Sequence, residues 1–356
     1  MTIQGPSPDL RTRARARLLL IGGLVVVSLA GCGQTGHGVA LSQRARSSGP
    51  AIGTPGSPPV TGVPGVTGVP GVPGVPGNKP GPTPSPAKPG SGGNGRCAGY
   101  PNPSCTGVPA GTRLTPLANN NVDHSAYRIL TPGTVLQNVH IRGDLMINAN
   151  NVTVRDSQID GTVVGEYARV HYSFKLIDST IGPARGCISL HAVGDMRYTA
   201  SGLLVRGHSS GFMVSGDNVT IRDSFVRNCS NGNDHAGGIQ VWDVHNNKNL
   251  LIQHNTLEQR GTSSHTAPLF LYDSNGGTIV NVSVIDNMLA GGTYSLELKR
   301  AAGRLIVHGN KFVNKSWDYA PMESTCSVID WAGNTAVTVD GDYRVTSTVR
   351  PVACVS

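Results

Sequence analysis

The sequence predicts an all-β solenoid of stacked coils behind a disordered Pro/Gly-rich tether. Three observations carry that prediction. A nine-residue template recurs six times after residue 150, a second period-two segment recurs between its copies, and all 17 aromatic residues of the 356-residue chain lie from Tyr100 onward. No stretch shows the long 3.6-residue period that helical crossovers would need.

At the front, Arg11, Arg13, Arg15 and Arg17 precede a 13-residue apolar run, residues 18–30. A bilayer-spanning helix needs about 20 residues, so the run has the length of a signal-peptide hydrophobic region instead. It ends in Leu29-Ala30-Gly31-Cys32, which resembles the bacterial lipobox. On that resemblance residues 1–31 are a lipoprotein signal peptide and Cys32 is the lipidated first residue of the mature chain. The expected location is then extracytoplasmic, lipid-anchored to the bacterial cell membrane. An ordinary secretory signal with an incidental Cys would export the chain equally.

Residues 32–96 form the tether. Of these 65 residues 17 are Gly and 13 are Pro, well above the roughly 25–30% at which a segment cannot form a packed core. Residues 61–77 read TGVPGVTGVPGVPGVPG, an elastin-like run in which Pro blocks helix and Gly discourages sheet. Charge divides along the same boundaries. Four Arg against one Asp precede Cys32, five Lys or Arg and no acid lie in the tether, and the remainder balances at 20 against 20. The net charge of +8 therefore belongs to signal and tether, which argues against a nucleic-acid partner.

Residues 97–356 are the folded domain, expected to be a monomer. Cys97, Cys105, Cys187, Cys229, Cys326 and Cys354 are an even set for an oxidising compartment, with 15 possible pairings. Tyr-Pro-Asn-Pro-Ser before Cys105 is turn-rich and favours Cys97 with Cys105, and Cys326 with Cys354 would fasten the C-terminal end. Cys187 with Cys229 follows by elimination.

The template reads NVTVRDSQI (151–159), SFKLIDSTI (173–181), NVTIRDSFV (218–226), NLLIQHNTL (249–257), NVSVIDNML (281–289) and RLIVHGNKF (304–312). Apolar second, fourth and ninth places describe a strand, a bend and another strand. Ser157, Ser179, Ser224, Asn255, Asn287 and Asn310 share the seventh place, where stacked side chains can bond from coil to coil. Asn-X-Ser/Thr at Asn151, Asn218 and Asn281 falls on the first place, a by-product of the template. Between the copies lie CISLHAV (187–193), GFMVSGD (211–217), GIQVWDV (238–244), PLFLYDS (268–274) and YSLELKR (294–300).

These residues resemble the right-handed parallel β-helix of the pectate-lyase-like superfamily, in its single-stranded form. More narrowly, with CTGVPAGTRLT (105–115) as a lead-in, the chain resembles secreted actinobacterial β-helix lipoproteins. The resemblance implies fold more than chemistry, because this fold hosts lyases, hydrolases, adhesins and spikes. At the strand where such proteins carry Asp-Gly-Ile-Gln, this chain has Gly237-Gly238-Ile239-Gln240. Trp242-Asp243-Val244-His245 and Leu298-Lys299-Arg300 likewise match lyase and polygalacturonase motifs only in part.

Alternation assigns Ile188/Leu190, Phe212/Val214, Ile239/Val241, Leu269/Leu271 and Leu296/Leu298 inward. Two outward columns follow: Ser189, Met213, Gln240, Phe270 and Glu297, then His191, Ser215, Trp242, Tyr272 and Lys299. Trp242, Tyr272, Gln240, Phe270 and His191 are the candidate substrate-binding residues, since flat aromatics beside polar groups suit a sugar ring. Asp234 beside His235, with Glu297 and Lys299, are the candidate catalytic residues, a carboxylate next to an imidazole being able to orient a base. Asp243 and Asp273 recur on adjacent coils and would admit Ca²⁺, the one cofactor considered. The expected partner is a cell-surface or environmental polysaccharide, bound or processed. A lyase or hydrolase, a non-catalytic adhesive module and a structural spacer all remain open.

Overall fold

The computed structural model describes residues 96–355 except 168–169, 243–246 and 274–275. The signal segment, Cys32, the tether up to residue 95, and Asp243 lie outside the described residues. Among the described residues the chain is all-β, with a single 3₁₀ turn at Cys326–Val328 and no α-helix.

From Thr115–Leu117 the chain passes to Ala126–Ile129 and then to Val135–Gln137, and each belongs to a different sheet. Val139–Ile141 then pairs in parallel with the starting strand. Repetition of this three-strand cycle builds sheets of eleven, nine and nine strands, called here first, second and third in the order the chain visits them. Every pairing in them is parallel except the last, where Val345–Pro351 runs antiparallel to Thr335–Val339. The arrangement is consistent with a β-helix-like solenoid.

The template explains each coil. Its second and fourth places lie in the third sheet and point into the core: Val152 and Val154, Val219 and Ile221, and Leu250 and Ile252 are at most 1% exposed. The sixth place turns the chain through the left-handed region, with φ between 45° and 53° at Asp156, Asp178, Asp223, His254 and Asp286. Asp and Asn tolerate that conformation better than other side chains, which is why they recur there. The first place does the same at Asn151, Asn218, Asn249 and Asn281, with φ of 58–66°. A further copy, RYTASGLLV (197–205), keeps the conformations with Arg197 and Gly202 at the left-handed positions and Leu203 in the seventh place.

After the bend, seventh-place side chains point inward as a polar ladder. Asn255 Nδ2 donates to Asn287 Oδ1 at 2.9 Å, Asn287 Nδ2 to Asn310 Oδ1 at 3.0 Å, and Asn310 Nδ2 to Asn334 Oδ1 at 3.0 Å. Each of these oxygens also accepts the backbone N–H of the preceding coil's Asn, at 2.9–3.0 Å. Ser224 and Ser179 continue the series toward the N-terminus through their hydroxyls. Buried amides are thus satisfied by one another, the condition under which polar side chains belong in a core.

Part of each end is covered. Asn120 and Asn121 occupy the outer edge of Ala126–Ile129, accepting the N–H groups of Arg128 and Ala126 at 2.6 and 2.8 Å. At the other end Val352 is 3% exposed, Trp331 Nε1 donates to its carbonyl at 2.8 Å, and Cys326–Cys354 ties the tail down. The other disulfides are Cys97–Cys105 and Cys187–Cys229.

The second sheet corrects the expected register in one coil. Val193, not Ile188, pairs with Phe212, and a bulge lies between Ile188 and His191. Ile188 and Leu190 therefore do not face the core, and Leu190 is 55% exposed. Val193 also pairs with Val163, so apolar stacking from the coil below sets the register. The buried file runs Leu145, Val163, Val193, Phe212, Ile239, Leu269, Leu296 and Met322.

Candidate functional site

The outer face of the second sheet brings most of the expected residues together. Met213, Gln240, Phe270 and Glu297 pair in that order on consecutive strands, and Glu323 continues the column. One residue past the ends of these strands come Ser215, Trp242, Tyr272 and Lys299. Ser189 and His191 drop out of these columns because of the bulge: His191 pairs with Ser210 instead.

Trp242 is 45% exposed and stands at the end of Gly237–Val241, its amide donating to Val214 O. Tyr272 packs edge-on against Phe270 with ring centroids 6.0 Å apart. Lys299 Nζ and Arg300 Cζ each lie 5.4 Å from the Tyr272 centroid, which fixes that ring by cation–π contact. Lys299 Nζ also reaches Glu323 at 2.7 Å and Glu297 at 3.5 Å. Burial pushes the Glu297 carboxyl upward, against the pull of the Lys299 charge. For Lys299 burial works to lower the ammonium, but the bond to Glu323 and the charges of both glutamates outweigh it and the net shift is upward.

Gln240 is committed to the fold: its amide accepts from Ser210 Oγ at 2.7 Å and donates to His235 O at 3.0 Å. Asp234 belongs to a knitted turn. Its carboxylate accepts from Ser230 Oγ at 2.5 Å, Asn231 N at 3.1 Å and Ser189 Oγ at 3.3 Å. His235 beside it is exposed, and no hydrogen bond or ion pair joins the two side chains, so the arrangement is a turn closed by short polar side chains. His191 is partly buried, 3.7 Å from Asp195, and burial drives its imidazole down to about 4. Asp273 is 2% exposed and its carboxylate accepts from Gly277 N at 3.0 Å, closing its own loop. Among the described residues no group of three or more His, Cys, Asp or Glu is placed to hold a metal ion.

Comparison with known proteins adds no relative: no family model, no curated protein and no solved structure matches the chain. The site therefore stands on its own geometry.

Sequence reasoning missed one residue of this column, Glu323, and an aromatic pair at the strand ends. Glu323 lies in Ala320–Ser324, whose alternation is masked by Pro321 and which follows the last recognised repeat. Its signal was distance, since it stands one coil length after Glu297. Tyr294 and Tyr319 make a second aromatic pair at the leading end of these strands, with centroids 5.6 Å apart and Tyr319 73% exposed. Tyr319 precedes its strand in a polar turn, where no periodicity marks it.

Proposed function

We propose that this chain is an exported protein, lipid-anchored to the membrane through Cys32, whose right-handed, single-stranded parallel β-helix binds polysaccharide on the outer face of the second sheet. The right hand is the one general to parallel crossover connections. The fold proposed is that of the pectate-lyase-like superfamily. One observation supports the binding reading: a half-exposed Trp242 and, on the next coil, Tyr272 beside two cations, each one residue past its strand, with carboxylates on the neighbouring strands. Rigid aromatic faces bordered by hydrogen-bonding groups are what a sugar ring needs, apolar contact for its C–H face and directional bonds for its hydroxyls.

Truncating Trp242 to Ala tests the reading. Glycan affinity should fall by about 1–3 kcal/mol, the loss of an aromatic anchor, while the thermal midpoint stays put. A variant that unfolds while keeping its affinity per folded molecule would make Trp242 a packing residue. Turnover is the second reading, favoured by Glu297 and Glu323 on one Lys299 ammonium, with burial pushing the Glu297 carboxyl upward. An acid and a base across a glycosidic bond hydrolyse it, and release of new reducing ends, lost in Glu297→Gln, is the measurement.

A further inference from the structure

A polar hollow lies on a different face, the outer side of the third sheet. It opens where the first place of the template changes its side chain. Asn151, Asn218, Asn249 and Asn281 hold that place elsewhere, but Ser173 and Arg197 hold it on the two coils between Asn151 and Asn218. The short Ser side chain leaves a cavity whose polar lining is Asn151, Thr153, Ser173, Lys175, Arg197 and Thr199. Thr153, Lys175 and Thr199 share the third place on successive strands and pair in register, about 4.8 Å apart. Arg197 reaches back one coil, its Nη1 donating to His171 O at 3.2 Å. That bond uses one of five guanidinium N–H donors and draws the side chain toward the coil that carries Lys175.

We infer that this hollow binds the phosphoryl group of a phosphate monoester. Lys175 and Arg197 are both exposed and line the same cavity, and neither makes an ion pair among the described residues. No acid is among the lining residues. Like charges held side by side repel, so an anion between them relieves a cost that the fold imposes. The Thr153 and Thr199 hydroxyls and the Asn151 amide add further donors, while Ser173 Oγ is occupied in accepting the Asn151 N–H at 3.1 Å. Donors thus converge from three successive coils. A planar carboxylate is matched by one guanidinium fork, whereas a tetrahedral oxyanion takes donors from several directions. Two cations also match the charge of about −1.5 to −2 that a phosphate monoester carries at pH 7.

The test titrates the full chain, at low ionic strength, with glycerol phosphate, with acetate, and with phosphatidylcholine vesicles carrying phosphatidic acid. Lys175→Thr and Arg197→Asn give these coils the side chains of their neighbours, and Asn tolerates the left-handed backbone at 197. The double variant should therefore keep the parent's thermal midpoint. It should lose about ten-fold or more in affinity for glycerol phosphate, which the parent should bind about ten-fold more tightly than acetate. In the parent chain the amide resonances of Thr153, Lys175 and Thr199 should shift as the ester is added, a readout that needs no variant. Vesicle binding that the double variant loses assigns the phosphoryl group to a lipid headgroup, and loss confined to glycerol phosphate assigns it to a soluble ester. Acetate binding as tightly as the ester, resonances that stay in place, or a folded double variant that binds like the parent would each overturn the site. Trp242→Ala should leave every one of these measurements unchanged, so the outcome is separate from that of the polysaccharide reading.

Discussion

Asn287 touches three coils at once. Its oxygen accepts from the backbone and side chain of Asn255, and its nitrogen donates to Ile252 O, Ile285 O and Asn310 Oδ1. Asn287→Ala would leave buried donors and acceptors on both neighbours without partners, at about 1–3 kcal/mol each. A loss of roughly 3 kcal/mol or more in denaturant unfolding is expected. Seventh-place Asn and Ser were legible in the sequence because a polar side chain at a fixed place in an apolar template can be satisfied by its own copies on the coils above and below. His191 was misread, because ISLHAV alternates acceptably in two registers and only packing on Val163 chooses between them. Its burial has a pH consequence. An imidazole held near 4 in the folded state and near 6.5 unfolded is stabilising when neutral, so stability is full above about 6.5 and falls as pH drops toward 4. The contribution is roughly 3 kcal/mol at its limit. Asp195, 3.7 Å away, is raised by the same burial and acts in the opposite sense, so the comparison is the informative measurement. His191→Leu should flatten the stability profile between pH 6.5 and 4 relative to the parent chain.

At the scale of the element, each coil stacks on its neighbours residue by residue. Val219, Leu250, Val282 and Leu305 form one buried file, and Ile221, Ile252, Val284 and Val307 form the next. Ile252 has a like-sized neighbour above and below and is fully buried. Ile252→Ala should therefore cost about 2–5 kcal/mol through a cavity that parallel strands pinned by their hydrogen bonds cannot close. The third and first sheets were readable because their strands flank a bend whose left-handed residues are chemically restricted. RYTASGLLV escaped notice since Arg, Gly and Leu replace every polar marker, although the conformations are kept. The second sheet offers no such bend marker. Its strands begin after loops of unequal length, so the columns were right for Met213 through Glu297, wrong at Ser189 and His191, and stopped one strand short of Glu323. The Asp234 turn was visible only as composition, and which atoms its carboxylate would accept from depended on Ser189, 45 residues earlier in the chain.

Across the whole molecule, a disulfide-closed loop runs back over the stack. Tyr100 stacks on His254 at 5.5 Å and donates to Asp286 at 2.6 Å, Asn102 reaches Asp342 O at 3.4 Å, and Gly107 N returns to Gly202 O at 2.8 Å. Residues 100–107 thus bind several coils together. If Cys32 is the membrane anchor, Cys32→Ser should move the protein from the membrane fraction to the medium or leave it uncleaved, and undiminished membrane retention would place the anchor elsewhere. Repeating coils carry a hazard that compact domains do not. Every coil is a template for the next, so nothing in the repeat itself says where growth stops. The reversed strand Val345–Pro351 answers that at one end. It presents an antiparallel edge of the first sheet, with two register irregularities and a terminal Pro, to any parallel strand seeking to add, and Asn120 and Asn121 fill the N-terminal edge of the second sheet. At those two edges the coil-on-coil pattern is ended by the chain's own residues, one by a reversal of strand direction and one by side-chain amides that stand in for a neighbouring strand.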